Sequence, residues 1–446
     1  MACALPPCSP ERTATQTRAS ATGTFAEEMK DCPDGWIRPV LPLAVICCLA
    51  ELSYAVVNVL AIPAYISKGV GLGAHVGTIM GAFLLAEALG RPGLGALSDM
   101  FGRKPLMVAG PLMSGAASLL LLSTVNPFLL VAVRILDGLG AAAFWPAIFA
   151  AVGDATAGRH RSTGMSVLNV SYMIGLAFGP LVGGWVNSLA SSPGNPSYSA
   201  AFYLSAGLFS LTAVAALAFV RGGRPGQAAS RPGSLIEERW TGLRPMLQAA
   251  VMVWRLLIIA FTTFLGIGML IPVVELYALD RFGIDQKTFG SLFLVPAALI
   301  GLLAVPLGRL GDRWGRLRSV RVGVFLCGVS LWCVPVVPSY HILAGGALIV
   351  GVGFLLAFPA WMALLTEVVG EEQRGSVLGA AGMAQGFGAI LGAVLGGRLY
   401  HADGPILGIH QHDFPIYTAA ACLLLSFVLT MLFVREPAQR SSPEAA

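Results

Sequence analysis

The 446 residues are 56% hydrophobic and only 11% charged, a balance that excludes an ordinary soluble globular domain. The formal net charge of +5 is spread over short connections between long apolar runs, so no nucleic acid is expected as a partner. Eight cysteines show no disulfide pattern. Cys3, Cys8 and Cys32 precede the first apolar run, while Cys47, Cys48, Cys327, Cys333 and Cys422 lie within apolar runs, where a reduced packing role is expected.

Residues 1–37 are polar, contain Pro6-Pro7 and runs of Thr, Ser and Ala, and are expected to form a disordered cytoplasmic tail. No short charged region leading into an apolar stretch marks a signal peptide there. Runs of ~20 apolar residues are what a bilayer-spanning helix needs. Twelve follow, starting near residues 41, 75, 106, 128, 163, 200, 251, 289, 320, 341, 375 and 415. The fold expected is all-α and integral to the membrane, with six helices in 38–220 and six in 251–435. A linker at 221–250 joins them and a cytoplasmic tail at 436–446 follows. In the linker, Pro, Gly and Ser come before Glu237, Glu238, Arg239, Trp240 and Arg244, which fits either an interfacial helix or a solvated connection.

With the N-terminus inside, only Lys68, Arg281, Lys287 and Arg398 of the 28 Lys and Arg fall outside, and Arg134 lies within a helix. That asymmetry sets the orientation, with both termini cytoplasmic. Only four of the 28 cations are Lys, and Ala, Gly and Arg abound, which points to a GC-rich bacterial genome and a bacterial inner membrane.

The first helix carries Glu51, Tyr54 and Asn58, whose spacings of three and four put them on one face. An ionisable residue at mid-membrane costs several kcal/mol unless it faces a cavity or a partner. Glu51 is therefore a functional candidate, the alternative being a protonated, hydrogen-bonded structural acid. The second helix carries Glu87 and Arg91 one turn apart, either a local ion pair or part of the coupling chemistry. At ~1.5 Å per residue, Glu87 lies about 18 Å from Asp99, deep in the bilayer.

The connection after the second helix reads Gly95-Ala-Leu-Ser-Asp99-Met-Phe-Gly102-Arg103-Lys104. Its copy, Gly308-Arg-Leu-Gly-Asp312-Arg-Trp-Gly315-Arg316, stands 213 residues later. The same offset carries Pro146 onto Pro359, Asp154 onto Glu367, Arg161 onto Arg374, and Gly179, Gly183 and Gly184 onto Gly392, Gly396 and Gly397. Two homologous halves follow from this single offset. The paired loop motif, with everything from about Leu41 to Val434, resembles the major facilitator superfamily. Between the halves an inner gate is expected: Asp99 at the start of the eleventh helix, around Arg374 to Gly379, where free N–H groups attract an anion. Arg103 would pair with Asp154, Asp312 would face the fifth helix and Arg316 would pair with Glu367, with Lys104 adding inner-face charge.

Two further elements narrow the resemblance to the drug–proton antiporter branch. Arg134-Ile-Leu-Asp137-Gly138-Leu-Gly140 in the fourth helix is similar to the family's R-x-x-Q-G-x-G element, whose arginine the resemblance implicates in proton translocation. Asp137 stands where Gln is usual, so it would partly neutralise Arg134. Gly175-Leu-Ala-Phe-Gly179-Pro180-Leu-Val-Gly183-Gly184 in the fifth helix resembles the antiporter signature. Physically, glycine at every fourth position gives a smooth face for close helix approach, and Gly179 is expected to meet a helix of the other half.

In the family resembled, the first, fourth, seventh and tenth helices line a central cavity. That implies a wall including Glu51, Tyr54, Asn58, Phe144, Trp145, Phe264, Phe358 and Trp361, suited to apolar or cationic aromatic molecules; the alternative for any one aromatic is contact with lipid or a neighbouring helix. Glu51, Glu87, Arg134 and Asp137 map by the offset onto Phe264, Ile300, Ala347 and Val350, so coupling chemistry is expected in the first half alone. His401, Asp403, His410, His412 and Asp413 share the last outer loop, but their spacing fits a solvated loop better than a metal site. No phosphate-binding loop or dinucleotide fingerprint is present, and neither cofactor, metal nor enzymatic activity is expected. The implied activity is secondary export of drugs or similar small molecules driven by protons, in a monomer embedded in the lipid bilayer. A facilitator or symporter for a metabolite, and a non-transporting membrane sensor or scaffold, are the alternatives.

Overall fold

The computed structural model describes residues 37–156, 161–192, 195–220, 253–292, 294, 303, 306–307, 310, 313–336, 339–367 and 374–434. The linker at 221–250, both tails and Asp312 lie outside the described residues. Six helices form the first half: α1 (Pro39–Gly69), α2 (Val76–Phe101), α3 (Arg103–Leu121), α4 (Pro127–Ala155), α5 (Arg161–Ala190) and α6 (Ala200–Phe219). The second half holds α7 (Trp254–Leu270, continued after a 45° bend by Val274–Phe282) and the start of α8 at 286–292. After these come α9 (Arg316–Cys333), α10 (Tyr340–Glu367), α11 (Arg374–Tyr400) and α12 (Phe414–Phe433). Among the described residues nine helices are long and apolar enough to cross a membrane, and the bent α7 makes ten. Most of α8 lies outside the described residues, and α9 carries Arg316, Arg318 and Arg321 in its first two turns.

Local chemistry explains the boundaries. Asn126 caps α4 by accepting from the Phe128 amide at 2.9 Å, and Pro127, at the first helical position, has no N–H to satisfy. Gly102 breaks α2 from α3 at φ 91°, and Gly315 precedes α9 at φ 93°. Only glycine adopts that conformation without steric cost, so the repeated glycine makes the same sharp turn in each half. In α1, Val56–Ala61 and Tyr65–Gly69 are π-helical on either side of Pro63, which cannot donate to the helical ladder.

The two halves pack alike. In the first, α1 lies on α5 and α6, and α3 on α4 and α6; in the second, α7 lies on α11 and α12, and α9 on α10 and α12. One apolar core centres on Ile46, Phe144 and Phe209 and reaches across the sealed end to Val273, Tyr277 and Tyr400; a second centres on Ile259, Leu331 and Leu423.

Helices α2 and α11 join the halves at one end and separate at the other. A Cβ on Gly77 would come within 2.1 Å of the Ala393 carbonyl, and one on Gly397 within 2.5 Å of the Gly77 amide. Farther along, Gly93 of α2 and Gly382 and Gly386 of α11 have nothing within 4 Å of an added Cβ. Around the closed end, Lys68 pairs with Asp280, Ser67 Oγ lies 2.8 Å from His401 Nε2, and Asn187 Nδ2 donates to Gln286 Oε1 at 2.8 Å. The molecule is sealed at this end, and the end bearing the Gly95–Lys104 connection is open.

Candidate functional site

A cavity of about 480 Å³ lies between α1, α2, α4 and α5. Its wall includes Glu51, Tyr54, Asn58, Glu87, Arg134 and Trp145, with Tyr172 of α5 and Arg91 of α2. Among the described residues Ile271 is the one contribution of the second half to this wall. The face expected on α1 is therefore the face that meets the cavity. Asn58 sits within the π-helical stretch Val56–Ala61, where the irregular turn widens the helix.

Two polar clusters stand on the wall. In one, Glu51 is buried and shares the cavity wall with Tyr172 of α5. In the other, Arg134 is fully buried, pairs with Asp137 on its own helix and donates from Nη2 to Asn58 Oδ1 at 2.5 Å. Its guanidinium also lies 4.4 Å from the centre of the Phe83 ring. Arg134 Nε and Asp137 Oδ1 have no hydrogen-bond partner. The Tyr54 hydroxyl meets Ser114 Oγ at 2.9 Å, tying α1 to α3 beneath the cavity. Glu87 and Arg91 form a local pair at 2.5 Å on the opposite wall.

The aromatic wall differs from expectation. Trp145 lines the cavity, but Phe144 is fully buried beside Gly110 of α3, because successive residues on a helix face about 100° apart. Phe264 and Phe358 meet each other at 6.4 Å across α7 and α10, away from the lining residues, and Trp361 is buried in the second core. The open end leaves these second-half aromatics apart from the acids of the first half.

The glycine element also needs correction. A Cβ on Gly175 would lie 2.6 Å from the Cys48 carbonyl, one on Gly179 2.4 Å from the Ala55 Cβ, and one on Gly183 2.8 Å from Leu60. These three pack α5 on α1 within the same half, so Gly179 does not meet the other half. The cross-half contact falls one position off that stripe: a Cβ on Gly184 would be 2.4 Å from the Gln286 carbonyl, and one on Gly290 would be 2.2 Å from the Pro180 carbonyl. A helix offers a different neighbour to adjacent residues, and spacing alone did not assign which.

At the open end, Arg103 pairs with Asp99 and donates from Nε to Asp154 Oδ2 at 3.1 Å. Lys104 Nζ donates to the Leu217 carbonyl at 2.7 Å, bracing α3 on α6. Among the described residues Asp99 has no partner on α11: its side chain is 63% exposed and held by Arg103. Arg316 opens α9, and the side chains of Glu367 and Arg374 lie outside the described residues, as does Asp312. At the sealed end, burial pushes the His401 imidazole below its ordinary range.

Sequence reasoning missed Tyr172, Ser114, Asn187 and Gln286. Tyr172 carried a usable signal: it precedes Gly175 by three residues and so shares the face that packs on α1.

A twofold-repeated helical bundle with a polar cavity open at one end is the architecture of a membrane transporter rather than an enzyme. The model of the Major Facilitator Superfamily matches residues 43–285 and 256–446, and the chain belongs to that superfamily. Multidrug resistance protein 1 of Bacillus subtilis (strain 168) is 24% identical over 362 residues, covering 80% of this chain and 87% of that one. The quinolone resistance protein NorA of Staphylococcus aureus (strain MRSA252) is 27% identical over 178 residues, 40% of this chain and 43% of its own. Among solved structures, a bacterial homologue of the human lysosomal transporter Spinster superposes with a TM-score of 0.73 at 16% identity, covering 90% of this chain and 97% of that one. The nucleoside transporter NupG does so with a TM-score of 0.72 at 14% identity, covering 88% and 98%.

Proposed function

We propose that this transporter is a proton-coupled exporter of drugs or similar apolar or cationic small molecules, working by alternating access between its two halves. The observation that carries the proposal is the placement of Glu51: a buried carboxyl on the cavity wall beside a tyrosine, with no cation paired to it among the described residues. Such a group can carry a proton, whereas Arg134, always charged and already paired with Asp137, can only set the field around it. The resistance proteins that the chain resembles support the choice of drugs as substrate class.

In this reading the Gly95–Lys104 connection and both termini are cytoplasmic, as the distribution of cations indicates. The structure is then the inward-open state. Asp99 and Asp154 hold Arg103 in reserve, and closure of this end would bring Asp99 to the start of α11. Substrate enters the cavity from the inside, and the halves rock about it. Glu51 then meets water on the outer side and takes a proton, whose inward release accompanies return.

Export of a panel of toxic or fluorescent compounds, measured in cells with and without the protein, tests the substrate class. Dissipating the pH gradient should abolish accumulation against a gradient. A facilitator would equilibrate the same compound unaffected by that treatment.

A further inference from the structure

The seam at the sealed end contains a second buried acid, which is not among the residues lining the cavity. Glu275, in the bent continuation of α7, is fully buried. Its Oε1 accepts from Gln286 Nε2 at 2.5 Å, and among the described residues its Oε2 has no hydrogen-bond partner. Among the described residues it has no salt-bridge partner. Facing it from α1 are the Ala64 backbone amide and Lys68, and Lys68 is already paired with Asp280. Arg281, on the same helix as Glu275, pairs with Asp413, and Lys287 of α8 lies over the Trp185 ring at 4.2 Å. Among the described residues, these three cations are therefore engaged elsewhere.

The hydrogen bonds around Glu275 run in one direction only. The Ala201 backbone N–H can only donate, and it donates to Asn187 Oδ1 at 2.7 Å. Asn187 must then give its Nδ2 to Gln286 Oε1, at 2.8 Å, which turns the Gln286 amide nitrogen toward Glu275 and toward the Leu60 carbonyl at 3.3 Å. That carbonyl can only accept, so both ends of the chain agree on the orientation. Glu275 Oε1 is thus fixed as an acceptor, and the position left for a proton is Oε2. A carboxylate buried here without a cation would cost far more than the neutral acid.

The chain crosses the halves. Ala201, Asn187 and Leu60 belong to the first and Gln286 and Glu275 to the second, so separating the halves at this end must break it. We propose that Glu275 is a second proton-binding site, which holds its proton while this seam is shut and exchanges it with water on that side when the seam opens. The second clause rests on the alternating-access reading; the first does not.

Infrared difference spectra of the purified full-length protein test the site. At neutral pH the wild type minus Glu275→Gln should show one protonated-carboxyl band. Its absence would mean an ionised Glu275 and overturn the proposal. Should Glu275→Gln fail to fold, Gln286→Ala serves: loss of the hydrogen bond to Oε1 should shift that band, and a spectrum identical to wild type would overturn the assignment. The band should persist in Glu51→Gln, so failure of the Glu51 coupling role leaves this result readable on its own. In a cysteine-free background, Ser67→Cys and His401→Cys joined by a short cross-linker should hold the seam shut. The band should then survive to a pH at which the unlinked protein has lost it. Identical titrations with and without the linker would overturn the exchange.

Discussion

Arg134 of α4 reaches across to Asn58 of α1 at 2.5 Å while holding Asp137 on its own helix. The pair is wholly buried, so its attraction is offset by the cost of removing both charges from water. What it contributes is position: it fixes the π-helical stretch of α1 against α4 at Asn58, about two turns from Glu51. Removing one partner is a different matter from removing both. Asp137→Asn leaves an uncompensated buried guanidinium and is expected to cost about 3–5 kcal/mol. Replacing both residues by apolar ones of similar size should restore most of that. Thermal unfolding in detergent checks this, and a double variant no more stable than Asp137→Asn would contradict it.

Two neighbouring glycines of α5 should behave differently. Gly179 packs on Ala55 within the first half, so Gly179→Leu should lower the yield and stability of the folded protein. Gly184 packs on Gln286 of the other half, so Gly184→Leu should fold but fail to seal the seam. Labelling of a cysteine introduced at Ala278, which is buried against Leu60 across the seam and makes no side-chain hydrogen bond, reads the difference. Gly184→Leu should raise its labelling from the sealed side severalfold, and unchanged labelling would count against this assignment of the seam.

The Gly95–Lys104 connection should act in the half of the cycle not seen here. Asp99→Ala removes one of the two carboxylates on Arg103 and leaves Asp154 in place, so insertion and folding should be preserved. Both partners are exposed, and such pairs are worth at most about 1 kcal/mol. In the proposed cycle export should nevertheless fall, because the closed end would lack its anion at α11. Wild-type export by Asp99→Ala would remove Asp99 from the gate.

Much of this could be read in the sequence, for identifiable reasons. The repeat was legible because Gly102 and Gly315 are required by backbone geometry, not by packing. Arg103 with Asp154 was legible because the short connection at 122–126 makes α3 and α4 antiparallel, which sets the start of α3 beside the end of α4. Glu51, Tyr54 and Asn58 were legible as one face because helical periodicity is local. What that face meets was not. Tyr172 shares the cavity wall with Glu51, and Gln286 reaches Glu275, through helix crossings set by tertiary packing. Phe144 was misplaced for the same reason: it and Trp145 are alike in sequence and opposite in environment. Gly179 and Gly184 were legible as packing residues, but their partners were not.

The central claim is that Glu51 carries the proton, and one measurement in proteoliposomes tests it. Glu51→Gln keeps the shape of the protonated acid and removes its ability to lose the proton. Net export of a transported compound against its gradient, driven by an imposed pH difference, should vanish in this variant. Exchange of the same compound across a balanced membrane should persist, because substrate binding and rocking of the halves remain. Glu51→Gln that still drives uphill export with unchanged proton stoichiometry would contradict the account.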